Sequence, residues 1–230
     1  MLEGFDTGVI TRSLNYLFVD GMTFTIKLTL MAMVGGLVAG TGLALMRLSG
    51  NAAVRNIASA YVNLVRAVPL VLVIFWFYFL VPYIGAWLTG AQNPIQVGAF
   101  TSSLTTFVMF EAAYYCEIMR AGILSVPRGQ FYAARALGMR ETQIMALIVI
   151  PQAVRNMLPV LLTQTIILFQ DVSLVYVISI TDFVGAASNV AQRDGRPIEM
   201  YVFVAAVYFV ISFGLSRVVG RLQRRIQIVR

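Results

Sequence analysis

Apolar residues gather into five runs along the chain, at about 22–46, 57–81, 100–119, 157–180 and 200–219. Each is close to the roughly 20 residues that an α-helix needs to cross about 30 Å of hydrocarbon. Closed β-barrels, the other way to span a bilayer, read as short alternating segments, and these runs are long and continuous. The pattern predicts an all-α integral membrane protein with five transmembrane helices in a single transmembrane domain over 1–230. Polar residues interrupt the runs at few points: Lys27 in the first, Arg66 and Pro69 in the second, Glu111 and Glu117 in the third. The fourth holds Gln164, Gln170 and Asp171, and the fifth ends at Arg217.

Composition agrees. Of 230 residues, 59% are hydrophobic and 12% charged, about half the charge of a soluble domain. The net charge is +7, but the cations are dispersed among apolar runs, which argues against a nucleic-acid partner. Lys27 follows no glycine-rich loop, so there is no P-loop. There is no His and one Cys, Cys116, which removes zinc sites, His-ligated haem and disulfide frameworks. No metal, cofactor or catalytic residue is expected, and no enzymatic activity.

Arginine sets the orientation. Alternating the connections puts Arg47, Arg55, Arg66, Arg120, Arg128, Arg135, Arg140, Arg155, Arg217, Arg221, Arg224, Arg225 and Arg230 on one side. Only Arg12, Arg193 and Arg196 fall on the other. The excess marks the cytoplasm, so the N-terminus is expected outside and the C-terminus inside. The first 20 residues hold Glu3, Asp6, Arg12 and Asp20 and lack the basic start and short apolar core of a cleavable signal. The first span is expected to serve as the insertion signal.

The longest cytoplasmic connection, 125–152, is not a plain linker. Its core from Gly129 to Ile150 is rich in good helix formers, with Gly138 in its midst. Two short helices with a turn at Gly138, bounded by Pro127 and Pro151, are predicted. The run Gly129-Gln130-Phe131-Tyr132-Ala133-Ala134-Arg135-Ala136-Leu137-Gly138, then nine residues, then Ile148-Val149-Ile150-Pro151, resembles the EAA loop of ABC importer permeases. That pattern is Glu-Ala-Ala, three residues, Gly, nine residues, Ile-x-Leu-Pro. Tyr132 stands where the pattern has Glu, and Ile150 where it has Leu. Glu111-Ala112-Ala113 spells the motif literally but lies in the third span and has Glu117 where Gly is required.

The resemblance extends from about Thr25 to the C-terminus and is nearest to polar amino-acid permeases, in particular those for glutamate and aspartate. It is carried by Arg66-Ala67-Val68-Pro69-Leu70, Phe110-Glu111-Ala112-Ala113-Tyr114-Tyr115, Glu117-Ile118-Met119-Arg120-Ala121-Gly122-Ile123, Phe169-Gln170-Asp171-Val172-Ser173-Leu174-Val175-Tyr176 and Arg193-Asp194-Gly195. It implies a multi-pass permease subunit of the bacterial inner membrane, paired with a second permease, identical or paralogous. It implies two copies of a cytoplasmic ATP-binding subunit, which hydrolyse the ATP, and a periplasmic binding protein that delivers the amino acid. Gly129, Tyr132, Ala133, Ala134, Gly138 and Pro151 are then the ATPase-coupling residues. An ATP-independent channel or secondary transporter for a polar solute explains the spans equally well, but not the helix–glycine–helix segment.

Intramembrane polar groups cost at least a few kcal/mol each and are functional candidates. Gln164 and Asp171 lie seven residues apart on one helical face, with Thr163 and Gln170 in a neighbouring row. With Glu111, Gln164, Gln170 and Asp171 either line a polar pathway or form a network between paired subunits. Glu117 and Arg120 read as a helical pair. Gly36 and Gly40 suit close helix packing, Lys27 can snorkel, and Trp76 and Trp87 suit an interfacial belt. Arg217, Arg221, Arg224 and Arg225 form a headgroup-facing stripe, and Cys116 is a small buried hydrophobe.

Overall fold

The computed structural model describes residues 5–226. Glu3 and Arg230, used above for orientation, lie outside that range. Among the described residues the chain is helical without strands. The first helical stretch comprises α1 (Thr7–Asn15), a π-helical segment Tyr16–Met22 and α2 (Thr23–Arg47). Then come α3 (Ala52–Ala67), α4 (Leu70–Phe75), a π segment Trp76–Leu80, α5 (Val81–Thr89), α6 (Ala99–Leu124), α7 (Arg128–Ala136) and α8 (Glu141–Ile144). A π segment Met145–Val149 leads into α9 (Ile150–Asp171), which passes into a 3₁₀ stretch Val172–Ile178. Then α10 (Phe183–Asp194) and α11 (Pro197–Ile226) complete the described chain.

The apolar runs at 22–46, 100–119 and 200–219 fall on α2, α6 and α11. The second run, 57–81, is not one helix. It breaks between α3 and α4 at Val68 and Pro69: a proline disfavours helical backbone in the residue before it, and Pro69 itself is extended at ψ 132. The apolar helix there is 70–89 instead. The fourth run outlasts α9, whose last turns tighten into the 3₁₀ stretch. Among the described residues, four stretches are long and apolar enough to cross a membrane: 7–47, 70–89, 141–178 and 197–226. With 26 residues α6 is long enough, but it carries Ser102, Ser103, Thr106, Glu111, Glu117 and Arg120 and is not among them.

The chain divides into two compact units. The first holds 5–34, 68–108 and 167–214 of the described residues. One of its cores joins Leu17, Met22, Phe169, Phe183, Ala186 and Met200; another joins Leu28, Ile74, Phe107, Leu168, Val172 and Val175. Gly21 lets the first helical stretch meet α10. A Cβ there would stand 2.9 Å from that of Ala186 and 3.0 Å from the Asp182 carbonyl. Thr25 donates its hydroxyl to the Gly21 carbonyl (3.1 Å) and accepts the Phe183 N–H (3.0 Å). Asp182 caps α10 by accepting the N–H groups of Val184 (3.1 Å) and Gly185 (2.8 Å), the usual use of a carboxylate at a helix start. It is fully buried. Burial outweighs those bonds and pushes its carboxyl up from 3.8 to about 6. The Lys27 ammonium sits 5.3 Å over the Phe100 ring.

The second unit holds 35–67, 109–166 and 215–226 of the described residues. Gly36 and Gly40 are where α2 presses on α6. A Cβ on Gly36 would lie 2.7 Å from that of Glu111, and one on Gly40 3.0 Å from the Ala112 carbonyl. Small residues at such crossings let backbones approach. Tyr61 donates to the Met109 carbonyl at 2.8 Å, and the Arg66 guanidinium lies 5.2 Å from the Tyr114 ring centroid.

Candidate functional site

Two groups of candidate residues take shape within the second unit. The first is a polar pair built on a buried carboxylate. Glu111 on α6 is 2% exposed, and its carboxylate accepts the side-chain N–H of Gln164 on α9 at 3.1 Å. One turn further along α6, the Tyr115 hydroxyl meets the Thr165 hydroxyl at 3.1 Å. Gly36 backs both, since a Cβ there would also stand 3.2 Å from the Tyr115 ring. A carboxylate held in this way can accept a cationic group or exchange its amide partner for a polar solute. Thr163 turns its hydroxyl onto the Pro159 carbonyl at 2.9 Å.

Gln170 and Asp171, the other polar candidates, belong to the first unit. Gln170 is exposed and Asp171 half-buried. Among the described residues no ion pair joins Asp171 to an arginine of this chain.

Glu117 does more than form the expected helical pair. It binds Arg120 on its own helix and also Arg47 at the end of α2. Sequence spacing pointed to Arg120 alone. Arg47 is 70 residues away in the chain, and no periodicity reports a partner at that distance.

The second group is the segment around Gly138. Pro127 precedes α7, where the missing N–H of proline costs nothing. After α7 the Gly138 backbone takes φ 78, a conformation that glycine adopts without steric cost. Its N–H bonds the Arg135 carbonyl at 3.0 Å, and that of Met139 reaches the Ala134 carbonyl at 3.2 Å. The Arg140 N–H then donates to the Gln143 side chain at 2.9 Å as α8 begins. A small core of Ala134, Ile144 and Val149 ties the two helices together.

Pro151 does not end this segment as predicted. The chain runs from α8 through the π segment into α9 without a stop. The wide turn at Met145–Val149 interrupts the regular hydrogen-bond ladder, so Pro151 sits in the first turn of α9, where proline is tolerated. Of the six coupling candidates, Gly129, Tyr132, Ala133, Gly138 and Pro151 are exposed, whereas Ala134 is buried. Leu137, 83% exposed, was not singled out in the sequence. An apolar residue directly before a turn glycine in an arginine-rich segment was its only signal. Beside α7 lies a cleft of about 380 Å³ lined by Ile123, Pro127, Phe131, Tyr132, Met145 and Val149, among others.

The family described as "Binding-protein-dependent transport system inner membrane component" matches residues 32–228 of the chain. The chain belongs to that family. The match takes in Glu111, Gln164, Gln170, Asp171 and the whole Gly138 segment. Among family relatives, the glutamate/aspartate import permease protein GltK of Escherichia coli O6:H1 is 51% identical over 223 residues, 96% of this chain and 98% of that one. The glutamine transport system permease protein GlnP of Escherichia coli K12 is 29% identical over 213 residues, 93% of this chain and 94% of that one. A solved structure titled as an amino acid ABC transporter with histidines superimposes with a TM-score of 0.86 at 32% identity, covering 96% of this chain and 98% of that one. The chain is therefore a multi-pass inner-membrane permease component, and the family's members are permease subunits rather than enzymes.

Proposed function

We infer that this protein is the permease subunit of an ATP-driven importer for glutamate and aspartate. The observation that carries the reading is 51% identity to a glutamate/aspartate import permease across 96% of the chain. In this reading α6 is a fifth transmembrane helix beside the four apolar stretches. Its polar residues are supportable because neighbouring helices, not lipid, surround them. The N-terminus is periplasmic and the C-terminus cytoplasmic, following the arginine excess. The chain pairs with a second permease, identical or paralogous, and receives substrate from a periplasmic binding protein.

The segment from Gly129 to Pro151 docks on one of two ATP-binding subunits. When these close on ATP they push the segment, and the helices rock between inward- and outward-facing states. Glu111, Gln164, Gln170 and Asp171 line the path. Carboxylates repel an acidic substrate's side chain at short range, so Asp171 serves its α-ammonium instead. The exposure of Gly129, Tyr132, Ala133, Gly138 and Pro151 supports the docking role, and the hydrogen bond from half-buried Gln164 to buried Glu111 supports the path.

Reconstitution with candidate binding proteins, the ATP-binding subunit and a panel of labelled amino acids tests the reading. Uptake of glutamate or aspartate should require ATP and survive collapse of the proton gradient. Uptake without ATP would identify a channel or secondary transporter. Asp171→Asn should keep the complex assembled while uptake falls sharply. A variant that falls apart would make Asp171 a partner of another subunit, and unchanged uptake in an assembled complex would remove it from the path.

A further inference from the structure

The last turns of α11 carry Arg217, Arg221, Arg224 and Arg225. Steps of three and four residues place them within one arc of about 100° at 3.6 residues per turn. The other side of the same turns is fixed by what it faces. Gln223 and Ile226 line a cleft of about 140 Å³ with Arg155, Asn156, Pro159 and Val160 of α9. The arginine arc therefore looks away from α9, and all four residues are exposed.

The sequence has no Asp or Glu after Glu199. Among the described residues no ion pair reaches Arg221, Arg224 or Arg225. Guanidinium groups present planar forks that take phosphate oxygens two at a time. The arc also ends a stretch apolar enough to cross a membrane, and Val218 beside it is 59% exposed. Cations and an exposed apolar side chain together suit the boundary between headgroups and acyl chains better than an acidic protein surface, which would not use the apolar part.

We propose that Arg221, Arg224 and Arg225 on this arc form a binding site for the phosphate headgroup of an anionic phospholipid, held as a bound lipid. The proposal rests on α11 crossing the membrane; it does not depend on which amino acid is carried. The test uses the whole complex as it purifies. It is reconstituted in nanodiscs of phosphatidylcholine and phosphatidylglycerol, extracted into neutral detergent, and its retained lipid measured by native mass spectrometry.

The wild type should retain phosphatidylglycerol well above its share of the disc. Each cation near an anionic surface contributes about fivefold to binding, so Arg221→Gln with Arg224→Gln and Arg225→Gln should cut the excess by about tenfold or more. The matching triple lysine variant should keep part of it, which separates charge from folding. Equal retention by the wild type and the glutamine variant overturns the proposal. So does inorganic phosphate, at matched ionic strength, protecting the complex against heat as fully as phosphatidylglycerol does, since the arc would then read a free anion. So does loss of a co-purified subunit from the glutamine variant with lipid retention unchanged. Uptake in proteoliposomes tests the transport reading separately.

Discussion

Helices α6 and α11 are similar in length, 26 and 30 residues, and opposite in what they show their surroundings. In the most apolar window of α11 only 11% is buried, and Val202, Phe209, Val210 and Phe213 stand half exposed or more, or nearly so. In α6 the residues out of reach are polar as well as apolar: Ser102, Ser103, Thr106 and Glu111 lie buried beside Phe107 and Tyr115. The difference teaches what hydropathy measures in a membrane chain. It reports which side chains must face lipid. A helix enclosed by protein is released from that demand, and there the chain can place groups that handle a solute.

The largest expected effects come from exchanging the characters of these two helices. Val210 is 67% exposed near the middle of α11. Val210→Asp places a carboxylate where lipid is expected, at about 3 kcal/mol on insertion scales, and the inserted protein recovered from membranes should fall sharply. Glu111→Leu makes α6 more apolar and should insert at least as well. It removes the acceptor of Gln164, a hydrogen bond to a charged group worth about 1.5–3 kcal/mol, and uptake should drop about tenfold or more. Full insertion of the first variant, or full uptake by the second, would break the contrast.

The next effect is smaller and depends on pH. The Asp182 carboxyl titrates at about 6 in the fold against an ordinary 3.8, because burial disfavours its charge. The folded state holds the proton more tightly, so stability falls as pH rises from about 4 to about 6 and the full cost is present above that. At neutral pH the cost is about 2–3 kcal/mol. Asp182→Asn keeps a capping oxygen for α10 without the charge. Thermal unfolding of the wild type should move upward from pH 7 to pH 5 relative to this variant. Parallel curves would mean that the buried carboxylate carries no such cost. The contrast with α6 extends here: a buried acid is tolerated where local N–H groups cap a helix with it.

Most of the fold was legible in the sequence because lipid imposes a strong, local signal. The runs that became α2 and α11 needed only their length and composition to be found, the run on α6 was visible between its polar residues, and Gly138 announced its turn through residue type. What stayed hidden involved partners far apart in sequence or departures from regular hydrogen bonding. Glu111 and Gln164 were each conspicuous, but 53 residues separate them and neither names the other. Arg47 gave no hint of Glu117. The break at Pro69 was written in the run itself and was overridden by its hydrophobicity. The continuation through Pro151 depends on a π turn that no residue pattern in that stretch signals. For the path and coupling residues, sequence supplied the candidates and the fold supplied neighbours and exposure.

A further variant sharpens the comparison between the Glu111–Gln164 pair and the exposed Gly138 segment. An added Cβ at Gly138 meets nothing within 4 Å, but the backbone is at φ 78. Gly138→Val therefore costs chiefly backbone strain, about 1–2 kcal/mol, since its Cβ has open space around it. The protein should insert normally, while substrate-stimulated ATP hydrolysis and uptake fall together. Gly138→Asn, better suited to this backbone, should lose less. Normal uptake by the valine variant would separate the turn from coupling.

The smallest effect on the fold is expected at Tyr132, where the family pattern has Glu. Its side chain is 62% exposed, and its main neighbour within the segment is the Phe131 ring, edge-on with centroids 6.2 Å apart. Surface changes of this kind stay within about 0.5 kcal/mol, so Tyr132→Glu should leave the melting temperature unchanged. Coupling is a different quantity. The exposed surface near Tyr132 includes Ala133 and Leu137, which are apolar, and a docking groove that accepts them would have to desolvate a new carboxylate. An exposed ion pair returns only about 0–1 kcal/mol, less than desolvation of an unmatched charge takes away. Tyr132→Glu should therefore lower ATP-driven uptake several-fold at constant protein level. Faster uptake would mean that the ATP-binding subunit offers a cation at this position and that Tyr132 is a weakened form of the family's contact rather than an apolar replacement for it.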